Sequence, residues 1–277
     1  MSKAKVTDIC HKISKSSGLS FNIVMVYFFL ESVLFRLAKS EYREFFVFKG
    51  GFLLSNIVGI KTRSTVDIDF LLRNLEFSER QIITILKDAL KKDVKSEIDY
   101  EISRIDLIKE ENRYGGFRVK ILCRLENIRQ TVSLDIATGD VVTPHAMDYR
   151  YVSLFGDENI QIQSYPIETI LAEKLQTIYS RGVFNSRSKD FYDLHILYKL
   201  KNNEINDDLL KVACMRTFGY RKTAFDIPKI IELFELLKKD EVFKQRWMAY
   251  SKKNSYIQGI LFEDVIDSGI HLLEQIA

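Results

Sequence analysis

Asp67 and Asp69 are separated by a single isoleucine in the run Arg63-Ser64-Thr65-Val66-Asp67-Ile68-Asp69-Phe70. On a β-strand, residues i and i+2 share a face. The two carboxylates therefore project together, while Ile68 and Phe70 turn to the other side, where they can be buried. Aspartate is disfavoured in strands, and two carboxylates side by side repel unless a cation lies between them. Hard oxygen donors of this kind suit Mg²⁺ or Mn²⁺, with phosphate oxygens completing the shell. Upstream stands Lys49-Gly50-Gly51. Neither glycine carries a Cβ, so the backbone there can approach an anion closely. Arg63 and Arg73 bracket the carboxylates and can add bidentate phosphate contacts, though each by itself reads equally as a surface residue. A glycine turn for phosphates followed by a carboxylate pair for metal is the equipment of phosphoryl or nucleotidyl transfer.

A third carboxylate would complete such a centre. Leu134-Asp135-Ile136 repeats the apolar-Asp-apolar pattern of Ile68-Asp69-Phe70, which sends Asp135 to the open side of its strand. A solvated strand face explains Asp135 equally well. Asp140 follows Gly139 and reads better as a turn residue. A second cluster lies further on: Lys174, then Lys189-Asp190-Phe191-Tyr192-Asp193-Leu194. Two helices joined by a short connection pack antiparallel, which would bring Lys174 towards Asp190 or Asp193. Such a lysine is either one half of an interhelix ion pair or a contact to a triphosphate.

Several chemistries have no support. The four histidines are isolated, no serine or cysteine has the setting of a nucleophile, and neither a P-loop nor a GxGxxG fingerprint occurs. Three scattered cysteines, Cys10, Cys123 and Cys214, argue against structural zinc or a disulfide framework and for a reducing compartment. A net charge of +3 is too weakly basic for a protein that coats nucleic acid, though it allows a locally basic face. The most apolar run, Ile23 to Leu30, falls well short of the ~20 residues that span a bilayer, and no signal-peptide pattern is visible. A cytoplasmic protein with no membrane partner is expected.

These residues need elements to hold them. Ser20 is a plausible cap for a long apolar helix over 20–39; 45–48 reads as a buried strand, 52–58 as a short helix, and 65–72 as the strand carrying the carboxylate pair. Ser78 caps a further helix. From 97 to 136 the pattern alternates, predicting three strands with Gly115-Gly116 at a turn. Beyond Pro166 the period is helical, with helices over 167–181, 188–200, 205–217, 226–238 and 260–275. The 277 residues thus divide into an α+β region, 1–150, with a mixed sheet and the carboxylates, and a helical region, 151–277.

The ensemble resembles the AbiEii/AbiGii toxins, nucleotidyltransferase-like proteins of bacterial toxin–antitoxin and phage-defence (abortive infection) systems. Phe48-Lys49-Gly50-Gly51 with Arg63 to Phe70 resembles their first motif. The likeness continues through Val132 to Ile136 with Gly139-Asp140, resumes at Ile167 to Leu175, and closes with Lys189 to Leu194. It implies a polymerase-β-type nucleotidyltransferase core with a helical C-terminal half. It also implies metal on Asp67 and Asp69, phosphate on Lys174, and Asp190 or Asp193 in the last motif; on the residues' own pattern, a second ion would be shared with Asp135. An antitoxin encoded next door, an NTP substrate and an RNA acceptor such as tRNA follow from the same likeness. One position departs from the pattern: Phe52 follows the glycine pair where the superfamily carries Ser or Thr against phosphate, leaving the amides of Gly50 and Gly51, with Arg63 or Ser64, to serve instead. Two other readings stay open, a catalytically degenerate binder of nucleotide, RNA or a partner, and a phosphotransferase acting on protein.

Overall fold

The computed structural model describes residues 1–91, 97–108 and 115–277. They divide into two compact units, one of residues 1–139 and 147–164, the other of 140–146 and 165–277.

The first unit is built on a seven-stranded mixed sheet. Its strands are β1 (Phe46–Lys49), β2 (Asp67–Leu72), β3 (Ile98–Ile108), β4 (Gly116–Leu125), β5 (Ile128–Thr138), β6 (Met147–Val152) and β7 (Asn159–Ser164), in the spatial order β3-β4-β5-β2-β1-β7-β6. β2 runs parallel to β5 and antiparallel to β1. Four helices belong to this unit: α1 (Lys3–Ser17), α2 (Phe21–Lys39), α3 (Gly50–Val58) and α4 (Glu79–Ala89). One sheet face is apolar by strict alternation. Phe117, Val119, Ile121, Cys123 and Leu125 of β4, Val132, Leu134 and Ile136 of β5, and Ile68 and Phe70 of β2 are all buried. Their neighbours in sequence, Arg118, Lys120, Ser133, Asp135, Asp67 and Asp69, occupy the opposite face.

α2 covers part of the apolar face, packing on β5 and β7 with α1 and α4 against it. Ser20 caps it as expected, accepting from the Ile23 N–H at 3.3 Å. By length and composition α2 could cross a membrane, a stretch longer than the eight-residue apolar run suggests. Eleven of its residues are instead buried in the unit's core, which is what an all-round apolar core helix requires. Its Glu31 is buried, and accepts from Tyr151 Oη at 3.0 Å and the Leu154 N–H at 2.9 Å. The structure thus anchors the β6–β7 hairpin to α2.

Two sequence expectations change here. The sheet continues past residue 150 through β6 and β7, so the sheet-bearing unit reaches residue 164. On β3, a bulge between Ile102 and Arg104 interrupts the alternation expected over 97–136, and Arg104 pairs with Lys120. The connection expected to turn at Gly115-Gly116 runs through 109–114, outside the described residues.

The second unit is helical: α5 (Ile167–Arg181), α6 (Ser188–Lys201), α7 (Asp207–Tyr220), α8 (Ile227–Lys239), α9 (Glu241–Lys253) and α10 (Phe262–Gln275). α6 sits at its centre, against α5, α9 and α10. Residues 190 to 197 are buried on every side of it. Phe191 packs against the rings of Phe234, Phe243 and Phe262 at centroid distances of 6.2, 6.1 and 5.8 Å. His195 Nδ1 lies 2.8 Å from Ser268 Oγ on α10, a polar contact between helices where burial lowers the imidazole's affinity for a proton.

Candidate functional site

In the first unit the carboxylates meet on the open face of the sheet. The parallel register sets Asp69 opposite Asp135 and Asp67 opposite Ser133, and the antiparallel register sets Lys49 opposite Asp69. Gly50 opens α3 with φ +75°, a conformation glycine adopts freely. Its Cα lies against the Asp69 carboxylate: a Cβ there would come within 2.5 Å of Asp69 Cγ and 2.7 Å of Asp69 Cβ, and closer still to Oδ2. At Gly51 a Cβ would meet Thr65 Oγ1 at 3.0 Å and Arg63 Nη2 at 3.3 Å. The glycine pair is therefore the floor on which the β2 carboxylate strand and the loop before it close.

That loop is pinned at Thr65. Its N–H donates to the hydroxyl of buried Tyr27 at 2.9 Å. Its own hydroxyl donates to Asp67 Oδ1, fixing that carboxylate. Arg63 is buried and donates to the Ser64 carbonyl. Arg73 lies on the surface, beyond the end of β2. Phe52 is fully buried in an aromatic cluster, 5.2 Å from the Tyr27 ring and 5.9 Å from those of Phe48 and Tyr151. The helix turns this position into the core.

Asp135 has a partner that sequence reading missed. Arg118 donates from Nε to Oδ1 at 2.8 Å and from Nη2 to Oδ2 at 2.5 Å. This two-point bond, then the charge of Asp135 and more weakly those of Asp67 and Asp69, raises the guanidinium's proton affinity against partial burial. Among the described residues no group of three or more His, Cys, Asp or Glu side chains is arranged to hold a metal. The donors do fit a single hard ion on Asp67 and Asp69, completed by phosphate oxygens and water.

The second unit carries a compact charged cluster. Lys174 Nζ on α5 donates to Asp190 Oδ1 at 2.7 Å and Asp193 Oδ2 at 2.6 Å on α6, and Arg187 Nε donates to Asp190 Oδ2 at 2.6 Å. Both aspartates are buried, and Lys174 is 17% exposed. Burial works against every charge here, yet the pairing prevails: it raises the affinity of Lys174 for its proton and holds the Asp190 carboxyl down to about 2. Lys189 points to solvent. Asp140 is tied with Glu173 to Arg221, at 3.2 and 3.3 Å, which gives this turn residue a clear structural task.

The family model of the AbiEii nucleotidyl transferase toxin of type IV toxin–antitoxin systems matches residues 32–266. The chain belongs to that family. Its fold is likewise that of JHP933 from Helicobacter pylori, whose crystal structure superposes with a TM-score of 0.54 at 16% identity, over 93% of this chain and 92% of that one. A second H. pylori chain gives a TM-score of 0.49 at 18% identity, over 93% and 96%. No curated protein sequence matches. As an AbiEii toxin the chain has the α+β nucleotidyltransferase core with a helical C-terminal half, and membership implies a cognate antitoxin.

Two residues of this AbiEii site went unread in the sequence, Thr65 and Arg118. A signal existed for Arg118. The alternation of buried residues from Phe117 to Leu125 already assigns it to the face opposite the core, the face on which Asp135 was placed.

Proposed function

We propose that this AbiEii toxin is a Mg²⁺- or Mn²⁺-dependent nucleotidyltransferase that transfers a nucleotide from an NTP to an RNA acceptor, tRNA being the leading candidate. The observation that carries the reading is the packing of Gly50 against the carboxylate of Asp69. A chain that keeps Asp67 and Asp69 on one strand face, and closes a Cβ-free helix start onto them, holds two carboxylates together at an energetic cost that a purely structural turn has no reason to bear.

In this reading Asp67 and Asp69 would hold the ion, which when bound would neutralise phosphate charge and stabilise the leaving oxygen. Thr65 orients Asp67. The amides at the start of α3, with Lys49, Arg63 and Ser64 nearby in sequence, would receive phosphate oxygens. In the second unit Asp190 and Asp193 keep Lys174 charged and pointed, as a lysine that contacts phosphate needs. The toxin would act in the cytoplasm and be countered by an antitoxin encoded next to it.

One observation favours a second reading, a degenerate protein that binds nucleotide, RNA or a partner without transfer: Asp135 is already taken by Arg118. The test is incubation of the full chain with each NTP, labelled in turn at the α and γ phosphate, together with total bacterial RNA and Mg²⁺. α-Label on RNA that disappears in Asp69→Ala supports the proposal. γ-Label on protein makes the chain a phosphotransferase, and no label in any combination leaves the binding reading. On expression, Asp69→Ala should not arrest growth; arrest equal to wild type removes the proposed site.

A further inference from the structure

The open face of β3, β4 and β5 sets cations against cations. Arg104 on β3 stands directly opposite Lys120 on β4, and Arg124 on β4 stands directly opposite Arg129 on β5. Like charges at opposed positions destabilise a sheet, and this face holds two such pairs. One member of each is relieved by a carboxylate. Arg104 Nε donates to Asp106 Oδ1 at 2.7 Å, and Arg124 Nη2 donates to Glu101. Arg118 is relieved in the same way by Asp135, and Asp99, the last carboxylate on these three strands' open face, lies opposite Arg124. Lys120 and Arg129 are left over. Lys120 Nζ donates to the Ser133 hydroxyl at 2.5 Å, a neutral partner. Arg129 is exposed. Among the described residues neither has a carboxylate within ion-pair distance.

Both cations lie within reach of the candidate site. Ser133 is opposite Lys120 on one side and Asp67 on the other. Strands are about 4.8 Å apart, so Lys120 stands about 10 Å from Asp67, and Arg129, four residues before Ser133, stands about 13 Å further along β5. An anion that reaches both cations relieves both opposed pairs. A triphosphate anchored at Asp67 and Asp69 is too short to lie along the two. A chain of phosphates is long enough, and lysine and arginine contacts to phosphate are what position a nucleic acid on a protein. The weak net charge of the whole chain makes a local pair of uncompensated cations beside the carboxylates the more telling.

We propose that Lys120 and Arg129 bind the phosphate backbone of the acceptor RNA and lead it along the open face of β4 and β5 towards Asp67 and Asp69. This rests on the RNA-acceptor reading above and deepens it. Ser133 is a positioning residue here, holding the Lys120 ammonium group on the face without neutralising it.

The test measures binding apart from transfer. Full-length protein is titrated against fluorescein-labelled bulk bacterial tRNA without NTP, and affinity is followed by anisotropy over a series of KCl concentrations. Lys120→Gln and Arg129→Gln are each expected to weaken binding several-fold and to reduce the slope of log K against log salt by about 1, and the double variant by about 2. Lys15→Gln, the same charge change at an exposed lysine near the end of α1, should leave affinity within about twofold of wild type. Arg129→Gln should melt at or above the wild-type temperature, since it removes an opposed like charge. Unchanged affinity and slope in Arg129→Gln, or an equal loss in Lys15→Gln, overturns the proposal, and neither result depends on how Lys120→Gln folds. A lower melting temperature in Arg129→Gln shows that the cation serves the fold, and overturns it as well. So does a Lys120→Gln protein that loses affinity for NTP while holding tRNA as wild type does. A wild type that binds no tRNA removes this track together with the RNA acceptor. If tRNA binds through these two cations and no α-label reaches it, the track stands and the transfer reading alone fails.

Discussion

Replacing Gly50 by alanine tests the joint between the glycine pair and the carboxylate strand. The positive φ of +75° alone costs an L-residue about 1–2 kcal/mol. The new methyl adds a steric term. Rotation of Asp69 can remove its carboxyl group from the path, but the Cβ of Asp69 stays 2.7 Å away, and it is fixed to a central strand. Only a backbone shift relieves that approach, and overpacking of this kind costs about 1–3 kcal/mol. The sum is about 3 kcal/mol, which for a chain of this size lowers Tm by roughly 6–12 °C. Thermal and urea unfolding followed by circular dichroism measure it. A double-mutant cycle isolates the cause. In the Asp69→Gly background the methyl meets neither a Cβ nor a carboxyl group, so Gly50→Ala should be less costly there by about 1 kcal/mol or more, the coupling expected of residues in contact. A Gly50→Ala protein that melts with wild type, or an identical penalty in both backgrounds, refutes the account.

Phe52→Ala should destabilise by about 3–5 kcal/mol, as a fully buried ring does, and Phe52→Thr should lower stability without tightening triphosphate binding; a gain in affinity measured by calorimetry would show that this position faces nucleotide after all. Lys174→Met leaves Asp190 and Asp193 buried against an apolar stem, and the loss of one partner from such a cluster costs about 3–5 kcal/mol; a denaturation midpoint unchanged from wild type would mean that the cluster is loosely held and Lys174 can be assigned to ligand alone. The pH dependence has a definite sign. Asp190 is held down to about 2 in the folded chain against roughly 3.9 unfolded, so its stabilisation is complete above about pH 4 and is lost as pH falls towards 2, amounting to about 2 kcal/mol. Urea midpoints between pH 5 and 2 should fall more steeply in wild type than in Asp190→Asn, and parallel curves would contradict the assigned pairing.

What the sequence disclosed follows from how strongly each segment is patterned. Helices α2, α5 and α8 have an apolar stripe or a side-chain cap, and their extents were read closely, as was the start of α4 at its Ser78 cap. α1 buries fully only Val6 and Cys10, and α9 only Phe243 and Trp247; two residues per helix leave no period to detect, and neither helix was found. Strands β6 and β7 escaped because they form the end of the sheet. Asn159, Gln161 and Gln163 alternate with Ile160, Ile162 and Ser164, a pattern too polar to resemble the buried strands. Phe52 was weighed as a departure at the site, whereas its ring completes the core under the glycine turn.

The open-face carboxylates were legible for a different reason than their partner was not. Whether Asp67, Asp69 and Asp135 point away from the core depends only on the alternation within each strand. Whether Arg118 faces Asp135 depends on register between strands, and that is set by the loop joining β4 to β5. The pairing of Leu125 with Ile128 leaves only Glu126 and Asn127 to turn the chain, with Glu126 at φ +49°. Tight hairpins favour Asn-Gly or Asp-Gly in such places, and a glutamate there gives no warning of a two-residue turn. Once that turn is known, every pair follows, Arg118 with Asp135 included. A slip of a single residue would send one strand's charged row into the core, so the hydrophobic face of β4 and β5 forbids it. The ion pair at the candidate site is thus held in register by apolar residues on the other side of the sheet, and moving Arg118 off Asp135 requires a change at Arg118 or Asp135 themselves.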